Sequence, residues 1–380
     1  MLGILDARAM AQVAHRPISW LGVCLLAACQ VSESGSPAPC TPTPPTVPMP
    51  APMGETAGPL VVPVAPDDEE PLEVLPSVAD LAETLELETT PERVHLGRQL
   101  FHDPRLSKDL TVSCASCHDL RFGGIDRTER AVGIFCQVGP VNTPTVFNSA
   151  LGIAQFWDGR AKDLAEQASG PPQAAGEMGS NFPEIVARLR DDAGVVRAFA
   201  QAFPGAGEGA ELVTTERVLE AIATFEVTLL TPGSRFDRWL EGDRDALTEQ
   251  ERRGYARFKQ VGCAQCHYGA AVGGKTFQKL GQKRDFFGAR QLNHADLGRY
   301  NVTKDERDRH AFKVPSLRNV ALTGPYFHDG SIGTLEDAVR AMANYQLGVE
   351  LAPAEVDDLV AFLRTLTGTY EGRPLAGPTR

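Results

Sequence analysis

The 380-residue chain has no surplus of positive charge: 37 Lys and Arg face 49 Asp and Glu, a formal net charge of −12. That balance argues against a nucleic-acid partner. It suits a basic docking partner, although much of the acid is scattered or sits in the Asp67–Glu73 run. Convincing apolar–polar alternation is also missing, so strands are not expected and the fold reads as mainly α. No apolar run is long enough to cross a bilayer comfortably. A disulfide framework is lacking too: of Cys24, Cys29, Cys40, Cys114, Cys117, Cys136, Cys263 and Cys266, four fall in two repeated motifs and the rest are scattered. A hydrophobic content of 42% supports a real core, and the length leaves room for two domains plus appendages.

What is present is a repeated pattern. Cys114-Ala115-Ser116-Cys117-His118 recurs as Cys263-Ala264-Gln265-Cys266-His267. Two thiols three residues apart, followed at once by histidine, are what covalent c-type haem attachment needs. Both sulfurs reach the vinyl groups of one porphyrin, and the histidine offers its imidazole to the iron. Zinc knuckles and redox dithiols also pair cysteines, but neither requires histidine directly after the second one. The expected cofactors are therefore two covalently bound haem c groups, with His118 and His267 as iron ligands.

The front of the chain reads as a targeting segment. Arg16 precedes the short apolar run Ile18–Ala28, too short for a membrane anchor and suited to a signal peptide over residues 1–28. Asp6 is awkward there, and translation from Met10 is an alternative start. Leu26-Ala27-Ala28-Cys29 resembles a bacterial lipobox, with Cys29 lipidated; an ordinary secretory signal is the other reading. Gln30 after the cysteine points to the outer membrane of a Gram-negative bacterium, with the protein in the periplasm and touching the membrane only through its lipid. Residues 29–75, rich in Pro, Ser and Thr, read as a disordered tether. Cys40 within it has no visible role.

Folded structure is expected from about Pro76. Thr90 and Pro91 suit a helix start, so Pro91–Phe101 reads as helical. Helical patterns follow at Ala161–Ala168, Pro183–Arg190 and Thr215–Leu230, the last placing Val218, Ile222, Phe225 and Leu229 on one face. Thr231-Pro232-Gly233 reads as a boundary. Thr248 to Glu251 resembles a capping box. Leu335–Asn344 and Pro353–Leu366 are the final helices, and the tail after Gly368 is expected to fray.

Six ordered segments carry a resemblance: LGRQLFHDPRLSKDLTVSCASCHDL, VNTPTVFN, FWDGRAKDLAEQ, GEMG, FKVPSLRNVALTGPYFHDGS and AVRAMANYQLG. From about Leu96 to Leu366 they resemble the bacterial dihaem cytochrome c peroxidases, including their MauG-type relatives. The resemblance implies two cytochrome c-like domains, each built around one covalently attached c-type haem: a peroxidatic domain at 76–232 and an electron-transfer domain at 233–375. It makes His118 the proximal ligand of the first haem and Glu177 the distal acid–base. Gln167 and Phe156 would shape the same pocket, and Trp157 would lie between the haems. Arg160 is as much a salt-bridge residue as a site residue. Asn142, with the carbonyls of Thr323 and Pro325, would bind Ca2+ between the domains; an amide oxygen suits that hard cation.

One position departs from the family pattern. Many of these peroxidases carry, in the loop before Asn142, a histidine that blocks the resting peroxidatic haem. Ile134 stands there, and isoleucine cannot ligate iron. The first haem is therefore expected to be open without reductive activation, with Cys136 as an alternative ligand. On the second haem, Met342 matches the family's methionine ligand where MauG has tyrosine; His294 and His310 are the alternatives. His328 belongs to a family motif but reads as structural. The implied activity is reduction of hydrogen peroxide with electrons from a cytochrome c or cupredoxin, in a homodimer. A MauG-like oxidation of residues in a partner protein, or a non-enzymatic dihaem electron carrier, are the other readings.

Overall fold

Two helix crossings organise the molecule. In the first, Thr90 Oγ1 accepts from Arg93 N–H and Pro91 occupies the first turn of the helix Pro91–Phe101. This helix lies across Thr215–Val227, which Thr214 caps in the same way. The axes approach closely because residue 97 is glycine: a Cβ there would collide with the Ala221 carbonyl oxygen. In the second, the Thr248–Glu251 capping box starts Glu249–Gln260, which crosses Pro353–Arg364. Here Gly254 is the contact residue, and a Cβ would strike the Asp358 carbonyl oxygen. In each crossing the first helix precedes a CxxCH motif and the second follows it, so the sequence repeat is also a structural repeat.

The computed structural model describes residues 72–288 and 290–376, all within one compact unit. The signal segment, Cys29, Cys40 and most of the tether lie outside the described residues. Two large apolar clusters form. One joins Leu96, Leu100, Phe199, Val218 and Ile222; the other joins Phe236, Tyr255, Phe258, Val356 and Phe362. A third runs between the halves, from Leu81 and Val227 to Ala270 and Ala271. Deleting a buried aromatic such as Phe225 or Phe362 from such a core costs about 3–5 kcal/mol.

The fold is mainly helical, with two short antiparallel ribbons. One pairs Phe277–Lys279 with Ala311–Lys313; the other pairs Thr369–Tyr370 with Arg373–Pro374. The Pro91–Phe101 helix has the expected limits; others shift. The expected Ala161–Ala168 segment becomes Leu164–Gln173, because Asp163 caps it by accepting from Glu166 N–H. Thr215–Leu230 stops at Val227, and Pro353–Leu366 stops at Arg364. Ala193–Ala202, capped by Asp192, is an additional helix. Beyond Ala341 the backbone loosens into a π-helix, Met342–Leu347.

Two expectations about the ends need correction. The fold starts before Pro76: Leu72 is buried in the second apolar cluster and bridges Gly269, while Glu73 O accepts from Arg318 Nη2 at 3.0 Å. The tail after Gly368 is anchored. Thr369 N–H donates to Pro232 O at 2.9 Å, and Tyr370 packs edge-on against Phe147.

Candidate functional site

Both CxxCH motifs fold as tight turns. Ser113 N–H donates to Ser116 Oγ at 3.0 Å, and His118 N–H closes on the Cys114 carbonyl at 2.9 Å. In the second motif Gly262 adopts φ 95°, a left-handed turn that suits glycine, and His267 N–H donates to Cys263 O at 3.0 Å. The four motif cysteines are free thiols. His118 Nδ1 lies 3.1 Å from Gly124 O, and His267 Nδ1 lies 3.4 Å from Val272 O. A carbonyl only accepts, so Nδ1 carries the proton in each ring and Nε2 keeps its lone pair. Burial lowers the pKa of both imidazoles, that of His267 to about 4. Both are therefore neutral near pH 7, the form that binds a metal. Among the described residues no group of three His, Cys, Asp or Glu is arranged to hold a metal ion, so the zinc-knuckle reading has no ligand set there. Paired free thiols beside one neutral imidazole fit a haem, whose porphyrin supplies the remaining iron ligands.

A continuous cavity of about 390 Å3 joins the two motifs. Its lining brings together Cys117, His118, Phe156, Trp157, Gln167 and Glu177 with Cys263, Cys266, His267 and Met342. Asn142, Thr323 and Pro325 line it as well. Cys114 does not appear on this wall and packs between two apolar clusters of the first half.

Glu177 sits in the turn that follows Leu164–Gln173, with its N–H donating to Ala174 O at 3.0 Å. Its carboxyl is half-buried. Desolvation raises its pKa, with the Arg160 charge pulling the other way. Arg160 does two things: its guanidinium pairs with Asp158 at 3.0 Å and stacks 3.5 Å from the centre of the Phe156 ring. Trp157 Nε1 donates to Asn142 O at 2.9 Å, and its ring joins the aromatic cluster that Phe327 and Met342 also touch. Asn142 Nδ2 donates to Thr128 O and Glu129 O, which turns Oδ1 the other way. Its N–H donates to His328 O at 2.8 Å, tying it to the segment that carries Thr323 and Pro325.

Ile134 is buried against the Glu177 turn. Its N–H donates to Glu177 O at 2.8 Å, and its side chain fills the space beside Gly179. The alternative thiol is spent: Cys136 is exposed and disulfide-bonded, so it does not offer a free thiol. His310 Nδ1 contacts Asp296 O at 2.6 Å and its ring stacks on Phe287. Neither His310 nor His294 lines the cavity, whereas Met342 does.

The profile of the family described as di-haem cytochrome c peroxidase matches residues 91–245. Cytochrome c551 peroxidase of Nitrosomonas europaea is 48% identical over 296 residues, covering 78% of this chain and 82% of that protein. The chain belongs to the di-haem cytochrome c peroxidase family. Cytochrome c peroxidase Ccp of Escherichia coli K12 is 50% identical over 286 residues, which span 75% of this chain but only 60% of that longer protein. Among solved structures, a MauG-like protein associated with microbial copper homeostasis superposes with a TM-score of 0.67 at 30% identity, covering 80% of this chain and 95% of that one.

Two cavity residues, Glu226 and Lys313, escaped the sequence reading. Glu226 is buried, with Oε2 unpartnered, and burial pushes its pKa up to about 8. Lys313 reaches across to Ala154 O at 2.7 Å. His328 is more than a motif residue: Nε2 contacts Asp296 Oδ1 at 2.8 Å while Nδ1 is buried without a partner. Glu226 continues the apolar i, i+4 row of Val218 and Ile222, where spacing alone does not single it out.

Proposed function

We propose that this chain is a dihaem c-type peroxidase that reduces hydrogen peroxide to water with electrons from a small redox protein. One observation carries the reading: Glu177 and His118 open on the same cavity as His267 and Met342. Haem, attached through Cys114 and Cys117 and through Cys263 and Cys266, would supply iron that binds peroxide at the first motif and stores an electron at the second. Glu177 does the proton work. A carboxylate oxygen takes the proton from the inner peroxide oxygen and returns it to the outer one as water leaves. With two electrons and two further protons, each peroxide yields two waters. A carboxyl whose pKa is raised by burial exchanges protons nearer neutrality than an exposed one.

Gln167 contributes a hydrogen-bonding amide to the same wall, and Phe156, held under Arg160, excludes water from it. Trp157 connects the walls by its bond to Asn142 O and its packing on the Met342 cluster, a route for single electrons. His267 and Met342 would hold the second iron; a thioether raises its potential relative to a second histidine. Asn142 Oδ1 with the Thr323 and Pro325 carbonyls would hold Ca2+ and lock the halves 76–232 and 233–375 together. Export with a lipidated Cys29, a periplasmic position at the outer membrane and a homodimer complete the proposal.

A MauG-like second reading rests on Ile134, whose apolar side chain would offer no ligand to an iron held by His118. Finding modified residues in a partner protein after peroxide treatment would favour it. The test of the leading reading is peroxide consumption by the two-haem protein with a reduced cytochrome c or cupredoxin. We expect turnover, and Glu177→Gln should lower it by roughly 10²–10⁴-fold with haem attachment intact. No turnover with any such donor, despite two attached haems, overturns the reading.

A further inference from the structure

Lys313 is a half-buried cation that no carboxylate neutralises among the described residues. It ends the strand Ala311–Lys313, its N–H donating to Trp157 O at 2.9 Å, so its backbone is fixed to the other half of the molecule. The side chain follows the same direction. Nζ donates to Ala154 O at 2.7 Å and lies against Gly152, where an added Cβ would sit 3.4 Å from it. Among the described residues no carboxylate pairs with Nζ, and desolvation alone lowers its pKa to about 8. A neutral carbonyl partner offsets only part of the cost of burying an ammonium group. The remaining surface of the side chain opens onto the cavity between the two CxxCH motifs.

The surroundings indicate which haem is nearer. Beyond Lys313 the chain runs along the loop that follows the second motif: Gly274 N–H donates to Val314 O at 2.8 Å, and a Cβ on Gly273 would strike the Pro315 carbonyl oxygen. Val272, in the same loop, supplies the carbonyl that orients His267. Lys313 therefore stands at the edge of the second motif's wall, aimed at the seam with the first half. A haem brings two propionate carboxylates, the anions that such a cation lacks.

We propose that Lys313 is the positioning cation for a propionate of the second haem, holding that carboxylate at the seam between the halves and raising the potential of this haem. The proposal rests on the two-haem reading above. A positive charge held against the porphyrin's own carboxylate favours the electron-rich reduced state, so removing it should make reduction harder.

The test is a redox titration of the full holoprotein, with haem counted first by its pyridine haemochrome. Two haems per chain are what both proposals need, and fewer would overturn both. In Lys313→Met the reduction equilibrium of the second haem should fall about tenfold, which is 59 mV for a one-electron couple. The first haem should stay in place. Lys313→Gln keeps a donor for Ala154 O but removes the charge, and should show the same fall. Lys313→Arg should restore most of the native value, which a purely structural role would not produce. With two haems attached, unmoved potentials in both neutral variants overturn the lysine assignment and leave the peroxidase reading standing. A shift confined to the first haem, or shared equally by both, overturns it too.

Discussion

Single side chains set the chemistry here, and buried acids set it most sharply. Glu177 and Glu226 open on one cavity but have different surroundings: Glu177 feels Arg160, whereas desolvation alone raises Glu226. The sign of the Glu226 effect follows directly. Below the ordinary glutamate pKa both folded and unfolded chains hold the proton, so burial costs nothing extra. Above it the unfolded chain releases the proton first, and stability falls as pH rises until the folded group ionises near pH 8. Glu226→Gln should therefore gain on the native protein between about pH 5 and 8, by an amount on the order of 5 kcal/mol at about 1.4 kcal/mol per pKa unit. Denaturant unfolding of both proteins across that range measures it, and a constant difference would show that Glu226 does not titrate in the window. Glu177 was legible as a residue type within a motif. Glu226 was not, because one acid in an apolar helical row becomes significant only when its neighbours are known to be buried.

At the scale of the element, two segments decide how the irons are served. The Ile134–Cys136 turn is held to the Glu177 turn by the Ile134 N–H bond to Glu177 O, while Gln137 Nε2 donates to Ala175 O at 3.2 Å. An apolar side chain is thus fastened beside the Glu177 turn, where the proposed open site needs no blocking ligand. The resting ferric holoprotein should show one high-spin and one low-spin haem, and Ile134→His should convert the first haem toward low spin. Two low-spin haems in the native ferric spectrum would contradict the open site. The other segment is the π-helix that begins at Met342. Such widened turns recur at functional sites, where they re-aim one side chain. Met342→Ala should change the spectrum of the second haem and lower its potential; an unchanged spectrum would exclude Met342 as a ligand. The sequence suggested an ordinary helix through Asn344, since hydrophobic spacing does not distinguish α from π hydrogen bonding over so short a stretch.

For the whole molecule, a buried ion pair in the second half and a shared threonine between the halves carry the argument. Arg318 is fully buried, pairs with Asp237 Oδ1 at 2.8 Å, also donates to Ala270 O, and holds Glu73 O at the start of the fold. Asp237 also closes a capping box with Ser234, just after the passage between the halves. Breaking such a pair strands a buried charge, so Asp237→Ala should cost about 3–5 kcal/mol. The chain joins the halves through Thr231: Asn148 and Asn319 both donate to its Oγ1, at 2.8 and 3.0 Å. Loss of this stability should therefore appear as one shared unfolding transition in thermal melts monitored at both haems. Two separated transitions would mean that the halves unfold independently.

The sequence by itself carried the expectation of haem, because attachment is a covalent requirement written in adjacent residues: Cys, Cys and His at set spacing, twice. Capped helix starts were legible for a similar reason, since Thr90 and Thr248 satisfy backbone groups within three residues. Only the tertiary structure decided what faces what. It joined two motifs about 150 residues apart through one cavity, put Ile134 against Gly179, placed Leu72 in the core of the other half and, among the described residues, left Lys313 without a carboxylate partner. Burial and desolvation depend on all the atoms around a group, and no local spacing records them.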